Sequence, residues 1–232
     1  RKYRSGENPA RWKGHLDKLL PARTKVKKTE HHAALPWLDM GAFMADLRQQ
    51  GGIAARALEF AILTAARSGE VRGATWAEID IDNAVWIVPP ERMKAKKEHR
   101  VPLSDKALEV LKKQKAEFPG ELVFPGTKIK DGKQTPLSDM TLTAVLRRME
   151  RKDITVHGFR SCFRDWASES TAYPSEMVEM ALAHTIGNKV EAAYRRGDLF
   201  EKRCRMMNDW SGFCDTVIKA GEVIPMRGNA AA

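Results

Sequence analysis

The 232-residue sequence has only three cysteines, at scattered positions. Three unpaired cysteines supply neither a disulfide framework nor a zinc-ligand pattern, so a reducing compartment is expected. Long uncharged apolar runs are also missing, since the most apolar segment, residues 53–66, contains Arg56 and Glu59. A membrane-spanning helix needs roughly 20 such residues. The sequence therefore predicts neither a disulfide-rich secreted protein nor a membrane protein.

Several signatures of catalysis are missing as well. The sequence contains no Walker-type phosphate loop, no dinucleotide-binding fingerprint and no Gly-x-Ser-x-Gly elbow. Its acidic residues form no cluster suited to a pair of catalytic magnesium ions. His31 and His32 are adjacent, so their side chains diverge and do not suggest a metal site. We expect no cofactor and no bound metal.

Positive charge is the most distinctive property of the composition. Lysine and arginine total 40 against 30 acidic residues, which gives a net charge of +10. An excess of this size favours a polyanionic partner such as nucleic acid, although a basic soluble protein would show it too. Apolar residues at 43% and charged residues at 30% are typical of a globular chain.

The composition changes along the chain and suggests three parts. Residues 1–34 contain many cations and few apolar side chains, as expected of a linker, and the basic run at residues 25–28 could be solvated or lie on a phosphate backbone. The first residue is Arg and no signal peptide follows, so we expect the sequence to begin within a longer protein. Residues 35–220 form the predicted main domain and residues 221–232 a C-terminal tail.

The main domain is predicted to be α+β and mainly α-helical. Apolar residues recur at helical spacing through residues 57–65, and further helices are expected from Ser104, Ser138, His157, Ser175, Lys189 and Phe200. Residues 79–103 differ, because two β-type runs there, Val85-Trp86-Ile87-Val88 and residues 99–103, predict a small antiparallel sheet. Residues 122–126 read as a short buried stretch that leads into a loop.

The candidate functional residues are cations, imidazoles and one tyrosine near helix ends and in loops. Each also has an ordinary structural explanation: an ion pair for Arg67 with Glu70, a surface pair for His157 and Arg160, a loop position for His184 and a half-buried aromatic for Tyr194. Taken together they suit phosphoryl transfer on a nucleic-acid backbone. Two arginines hold phosphate oxygens, a tyrosine supplies a nucleophile, and a hairpin lysine supplies a proton without any metal.

The order of these residues resembles the tyrosine recombinase family, particularly the integrases of temperate phages and genomic islands. The resemblance spans residues 32–215 and is strong because five motifs occur in the family's order and at similar separations. The motifs are residues 63–76 around Arg67, residues 93–104 around Lys94, His157-Gly158-Phe159-Arg160, Leu182-Ala183-His184 and Ala192-Ala193-Tyr194.

The resemblance implies roles for the residues that bind the phosphate. Tyr194 would attack the scissile phosphate and leave a 3′-phosphotyrosine with a free 5′-hydroxyl. Arg67 and Arg160 would hold the phosphate oxygens, and His184 would donate to one of them. Glu70 occupies the position of the acid that supports the first arginine in this family.

The resemblance also implies roles in proton transfer. Lys94 would be the general acid for the 5′ leaving oxygen, and His157 would assist proton transfer to or from the tyrosine. The choice of Lys94 over Lys96 or Lys97 depends on its spacing to residues 101–103.

Further expectations follow from the family. Its integrases carry an arm-binding and a core-binding domain before the catalytic domain, so residues 1–34 would be the end of a missing core-binding domain. The partners implied are double-stranded DNA at attachment sites, further copies in a tetramer on DNA, and accessory DNA-bending proteins, in a bacterial cytoplasm near the nucleoid. Two alternatives are a type IB topoisomerase-like activity and a catalytically silent DNA-binding regulator.

Overall fold

The structure is a computed structural model that describes residues 8–21, 32–184 and 197–218. The chain separates into two compact units, residues 1–32 and residues 33–232. The predicted helix from Lys189, the basic run at residues 25–28 and the C-terminal tail lie outside the described residues. The proposed domain boundaries therefore stay predictions.

The described part of the first unit is short and exposed. It contains a helical turn, Asp17–Leu19, preceded by an irregular turn over Trp12–Leu16 in which Gly14 has a positive φ of 87°. Trp12 and Leu19 are 57% and 67% exposed. No residue in either turn is buried, as expected for a segment without a core of its own.

The second unit is mainly helical with small antiparallel sheets, which confirms the predicted α+β class. Short 3₁₀ turns at Trp37–Asp39, Trp76–Glu78 and Pro90–Arg92 join some of the elements. The elements, in chain order, are α1 Met40–Arg48, α2 Ile53–Thr64, α3 Ser68–Arg72, β1 Ile79–Asp80, β2 Val85–Val88, β3 His99–Pro102, α4 Asp105–Glu117, β4 Pro125–Lys130, β5 Lys133–Pro136, α5 Thr141–Arg148, α6 Gly158–Ser170, α7 Ser175–Ala181 and α8 Phe200–Cys214.

Helix α2 lies at the centre of the core, and α1, α4, α5 and α8 pack around it. Its small and apolar side chains bury nearly every face, which explains the nearly continuous apolar sequence. Trp210 of α8 is fully buried and donates its indole N–H to the Ile62 carbonyl at 2.8 Å. An aromatic cluster of Phe163, Trp166 and Phe213 surrounds Trp210 and fixes α8 against α6.

The first sheet has three antiparallel strands in the order β1-β2-β3, as the sequence pattern over residues 79–103 predicts. Strand β2 pairs Val85 with Pro102 and Val88 with His99. Residues 89–98 connect β2 to β3 and carry the predicted lysine. The expected general acid therefore lies on an exposed connection between two partly buried strands.

A second, two-stranded sheet occupies a region for which the sequence pattern predicted a loop. Strands β4 and β5 form an antiparallel hairpin, and its turn residues Asp131 and Gly132 have φ values of 52° and 74°, as a tight hairpin turn requires. The prediction of a loop was wrong because residues 127–134 are exposed on both faces. Such a ribbon lacks the apolar alternation by which a half-buried strand is recognised.

Two predicted helix positions also need correction. The sequence after Glu70 predicts a short helix through Val71 to Trp76. The structure instead has α3, which begins at Ser68 and ends at Arg72, and the 3₁₀ turn Trp76–Glu78 follows it. Helix α5 begins at Thr141 rather than directly after Ser138, whose hydroxyl lies 2.8 Å from that of Thr141. Both differences are at helix ends, where local sequence signals are least exact.

Gly158 is expected to be intolerant of substitution because of its close approach to a fixed carbonyl. A Cβ there would lie 2.2 Å from the Ala33 carbonyl oxygen. Thr155 holds that oxygen through its backbone N–H at 3.0 Å and its hydroxyl at 3.1 Å. We expect Gly158→Ala to lower the free energy of unfolding by about 1–3 kcal/mol, measured by urea denaturation.

The matched control is Gly212→Ala, in the last turn of α8. A Cβ at Gly212 meets nothing within 4 Å. Because alanine is the better helix former, this variant is expected to be neutral or to gain up to about 1 kcal/mol. Equal effects of the two substitutions would contradict the steric explanation for Gly158.

Candidate active site

The first arginine lies at a sharp turn between two helices. Helix α2 ends at Thr64, its C-cap residue Ala65 has a left-handed conformation with φ 50°, and Arg67 is the N-cap residue of α3. Glu70, only 5% exposed, accepts hydrogen bonds from the Arg67 backbone N–H at 2.9 Å and from Nη1 at 2.8 Å. The two hydrogen bonds to Glu70 fix the direction of the guanidinium, so the pair is more than a solvated surface contact.

The second arginine meets the first at the C-terminal end of α7. Arg160, in the first turn of α6, donates from Nη1 to the Ala65 carbonyl at 2.5 Å and from Nη2 to the Leu182 carbonyl at 2.6 Å. Arg67 Nη2 lies 3.4 Å from the same Leu182 oxygen and 3.2 Å from that of Ala183. Backbone carbonyls from two separate parts of the chain therefore hold the two guanidinium groups beside each other.

Arg160 is an unusual residue because its charge is buried. It is 5% exposed, and burial together with the neighbouring Arg67 lowers its pKa to about 10. The side chain still carries its proton at neutral pH. Its Nε is buried, and no acceptor among the described residues meets it. A buried cation is costly, and an anion beside the guanidinium would relieve that cost.

His184 lies directly beside Arg160 and is oriented by a carboxylate. Its Nε2 is 3.2 Å from Arg160 Nη2, and its Nδ1 is 2.5 Å from Glu179 Oε2. The other Glu179 oxygen accepts from Arg164 Nε at 2.7 Å. Burial opposes ionisation of Glu179, but the hydrogen bonds from His184 and Arg164 lower its pKa. An ionised Glu179 favours an N–H on Nδ1 of the imidazole.

A cleft of about 510 Å³ brings together residues from three separate sequence motifs. Its lining includes Arg67, Arg160, Lys94 and His157, which occupies the N-cap position of α6. Lys96 also lines the cleft, and its Nζ donates to the Glu91 carbonyl at 3.3 Å. His184 contacts Arg160 at the side of this cleft. Tyr194 lies outside the described residues.

Two buried or half-buried arginines support the site and were not recognised in the sequence. Arg92 contacts the Glu78 carboxylate through Nη1 and the Glu70 carbonyl through Nη2. Arg203, 1% exposed, donates from Nη1 to the Arg100 carbonyl at 2.7 Å. No local signal separates such arginines from surface ones, because their acceptors come from distant parts of the chain.

His99 is a half-buried group beside the arginines. Burial, reinforced by the Arg203 guanidinium, lowers its pKa to about 4, while Glu70 and a hydrogen bond from the ring to the Ala181 backbone oppose the shift. The ring is therefore neutral at physiological pH. It lies on β3 between the hairpin that carries the lysines and the helix end that carries the shared carbonyls.

Residues 8–21, 32–184 and 197–218 contain no group of three or more histidine, cysteine, aspartate or glutamate side chains arranged to hold a metal ion. Over the same residues, every helix is too short or too polar to cross a bilayer.

The fold is that of the catalytic domain of tyrosine recombinases. Lambda integrase in a complex with a core site superposes with a TM-score of 0.51 at 22% identity, covering 74% of this chain and 62% of that one. The XerH site-specific recombinase superposes with a TM-score of 0.51 at 14% identity, covering 72% and 55%. At these identities the similarity establishes the fold alone.

The sequence comparisons identify the family. A family model described as the phage integrase family matches residues 40–199. Prophage integrase IntA of Escherichia coli K12 is 38% identical, with 65% of this chain aligned to 36% of the relative. Prophage integrase IntZ of the same strain is 31% identical, with 89% aligned to 51%. The integrase of Enterobacteria phage P4 is 33% identical, with 81% aligned to 46%. The chain belongs to the phage integrase family and spans between about a third and a half of these relatives' lengths.

Proposed function

We propose that this chain is the catalytic part of a site-specific DNA recombinase, the integrase of a prophage or genomic island. The observation that carries the proposal is a cleft of about 510 Å³ lined by Arg67 and Arg160, whose guanidinium groups share the Leu182 carbonyl. This geometry suits a phosphodiester, which carries one negative charge and gains more in its transition state. The relatives named integrases and the DNA-bound structural neighbours support the choice of DNA.

In the proposed reaction the phosphorus is attacked by a side chain of the enzyme. The Tyr194 oxygen forms a bond to phosphorus while the bond to the 5′ oxygen breaks, leaving a 3′-phosphotyrosine and a 5′-hydroxyl. Arg67 and Arg160 hold the non-bridging oxygens, each by donors that its carbonyl partners leave available. The reverse reaction with a 5′-hydroxyl from another strand restores the phosphodiester, so bond energy is conserved between the two steps.

Proton transfer balances the two halves of this step. The tyrosyl proton leaves with help from His157, and Lys94 gives a proton to the 5′ oxygen as its bond to phosphorus breaks. Both side chains line the cleft that contains the arginines. Lys94 is exposed on the connection between β2 and β3, so its side chain is accessible to a bound strand.

His184 has a role that depends on its protonation. With one N–H on Nδ1 toward Glu179, its Nε2 accepts from Arg160. To donate to a phosphate oxygen, Nε2 must carry a proton as well. Glu70 supports Arg67 by accepting from its backbone N–H and from Nη1.

The extent of the domains, the assembly on DNA and the location in the cell are proposed as well. We place residues 1–34 at the end of a core-binding domain, residues 35–220 in the catalytic domain and residues 221–232 in a tail. The full-length protein would act as a tetramer on double-stranded attachment sites in the bacterial cytoplasm, near the nucleoid and with accessory DNA-bending proteins.

Covalent capture tests the proposed function. The chain is incubated with supercoiled plasmid in EDTA, denatured and digested, and the peptides are examined by mass spectrometry. We expect a nucleotide-modified peptide with the phosphate on Tyr194, because the arginines replace a metal in stabilising charge. Tyr194→Phe is expected to abolish the adduct and to leave DNA retention on a filter unchanged.

The outcomes separate the alternatives. DNA retention without an adduct in the unsubstituted chain would contradict the proposed catalysis and favour a silent DNA-binding regulator. An adduct accompanied by plasmid relaxation, with no exchange between paired attachment sites by the full-length protein, would favour a topoisomerase-like activity.

A further inference from the structure

The hairpin formed by β4 and β5 protrudes from the domain without a core face. Every residue from 127 to 134 is exposed, including Ile129 at 72%. An isolated two-stranded ribbon is marginally stable in water, so its conformation depends on what holds its base. We call residues 125–136 the ribbon.

The base of the ribbon is fixed to the helix that carries the first arginine. Before the ribbon, the Val123 backbone N–H donates to the Ala74 carbonyl at 2.8 Å, and Val123 is fully buried. After it, the Leu137 carbonyl accepts from Arg72 Nη1 at 3.0 Å. Both ends of the ribbon are therefore attached within a few residues of the C-terminus of α3, whose N-terminus is capped by Arg67.

The charge of the ribbon has no internal explanation. Lys128, Lys130 and Lys133 oppose a single acid, Asp131. Lys130 and Lys133 are directly paired across the strands, an arrangement that destabilises a hairpin through repulsion. In the part of the chain that the structure describes, none of the three lysines forms an ion pair. A polyanion bound along the ribbon would turn this repulsion into attraction.

We propose that the ribbon is a second DNA-contacting surface, which places Lys128, Lys130 and Lys133 against the phosphate backbone of the duplex beside the cleavage site. The inference rests on the proposed function, since it takes the same DNA as its partner. A two-stranded ribbon also has the dimensions of the major groove.

The distances allow the ribbon and the cleft to contact one duplex. Arg67 and Arg72 are five residues apart, roughly 7.5 Å along a helix. A six-residue strand such as β4 extends about 20 Å. Their sum is less than one turn of the DNA helix, about 34 Å. The lysines can therefore reach phosphates within one turn of a phosphate held by Arg67.

The salt dependence of DNA binding tests this surface. Lys130 and Lys133 are changed together to glutamine, and Lys112 and Lys113, exposed on α4, are changed likewise as the matched control. Affinity for a duplex of about 30 base pairs is measured by fluorescence anisotropy from 50 to 300 mM KCl. The slope of log K against log salt is negative, and each lost phosphate contact reduces its magnitude by about 0.9. We expect the magnitude of the slope to fall by nearly 2 for the ribbon variant and by less than 1 for the control.

Cross-linking at Lys128, two residues from Lys130 and on the same face of the strand, identifies what the ribbon touches. Lys128 is replaced by a photo-cross-linking phenylalanine analogue in a chain that binds the duplex. We expect a protein–DNA cross-link after irradiation. A cross-link to a second copy of the chain instead, or a ribbon variant with the slope of the unsubstituted chain, would overturn the inference and leave the proposed function intact. No salt-dependent DNA binding by the unsubstituted chain would overturn both.

Discussion

Arg160→Lys is expected to lower the rate of covalent DNA cleavage by about 10²–10³-fold, the loss typical of removing one donor to a developing oxyanion. The guanidinium bonds the Ala65 and Leu182 carbonyls with its terminal nitrogens, and each of these nitrogens has a second N–H. A lysine ammonium is a point charge and cannot reach two carbonyls and a phosphate oxygen in one plane. The substitution therefore removes orientation while it keeps the charge.

The measurement is single-turnover formation of the phosphotyrosyl adduct at saturating DNA. Arg151→Lys is a suitable control because Arg151 is an arginine of the same domain that pairs with Asp153 near the surface. Thermal unfolding of both variants shows whether Arg160→Lys has also weakened the fold, since it loses two buried hydrogen bonds. Cleavage within a few-fold of normal by a folded Arg160→Lys protein would contradict the clamp.

Lys94→Ala is expected to slow cleavage by about 10²–10⁴-fold, the range contributed by a positioned general acid. The decisive experiment uses a DNA substrate in which sulfur replaces the 5′ bridging oxygen at the cleavage site. A thiolate leaves without a proton, because a thiol pKa near 8.5 is far below that of an alcohol. We expect the sulfur substrate to restore the variant's rate to within about tenfold of the unsubstituted chain.

Lys96→Ala is the matched control, because Lys96 lines the same cleft two residues away. It is expected to change cleavage of the oxygen substrate by only a few-fold. If the sulfur substrate rescued Lys96→Ala and not Lys94→Ala, the general acid would be Lys96. If neither variant were rescued, the lysines would act through phosphate binding rather than proton transfer.

Much of the fold followed from the sequence because its signals are local. The small, apolar residues of α2 specify a buried helix, and the β-branched run at residues 85–88, stopped by two prolines, specifies a strand. The ribbon was missed for the opposite reason. Strands exposed on both faces carry no apolar periodicity. The local signal for this ribbon was the Asp131-Gly132 pair, which is typical of a two-residue hairpin turn.

The residues of the site were predicted by motif order, and the structure brings Arg67, Lys94, His157 and Arg160 around one cleft, with His184 against Arg160. Their roles, and that of Tyr194, stay predictions.

The sequence by itself determined the residue types available for chemistry and the helical frame that carries them. Only the tertiary structure decided that Arg160 is buried with an unused donor, that two distant carbonyls hold it, and that Glu179 orients His184. Those contacts join positions up to 95 residues apart, and no local pattern of side chains encodes which carbonyl a buried guanidinium will meet.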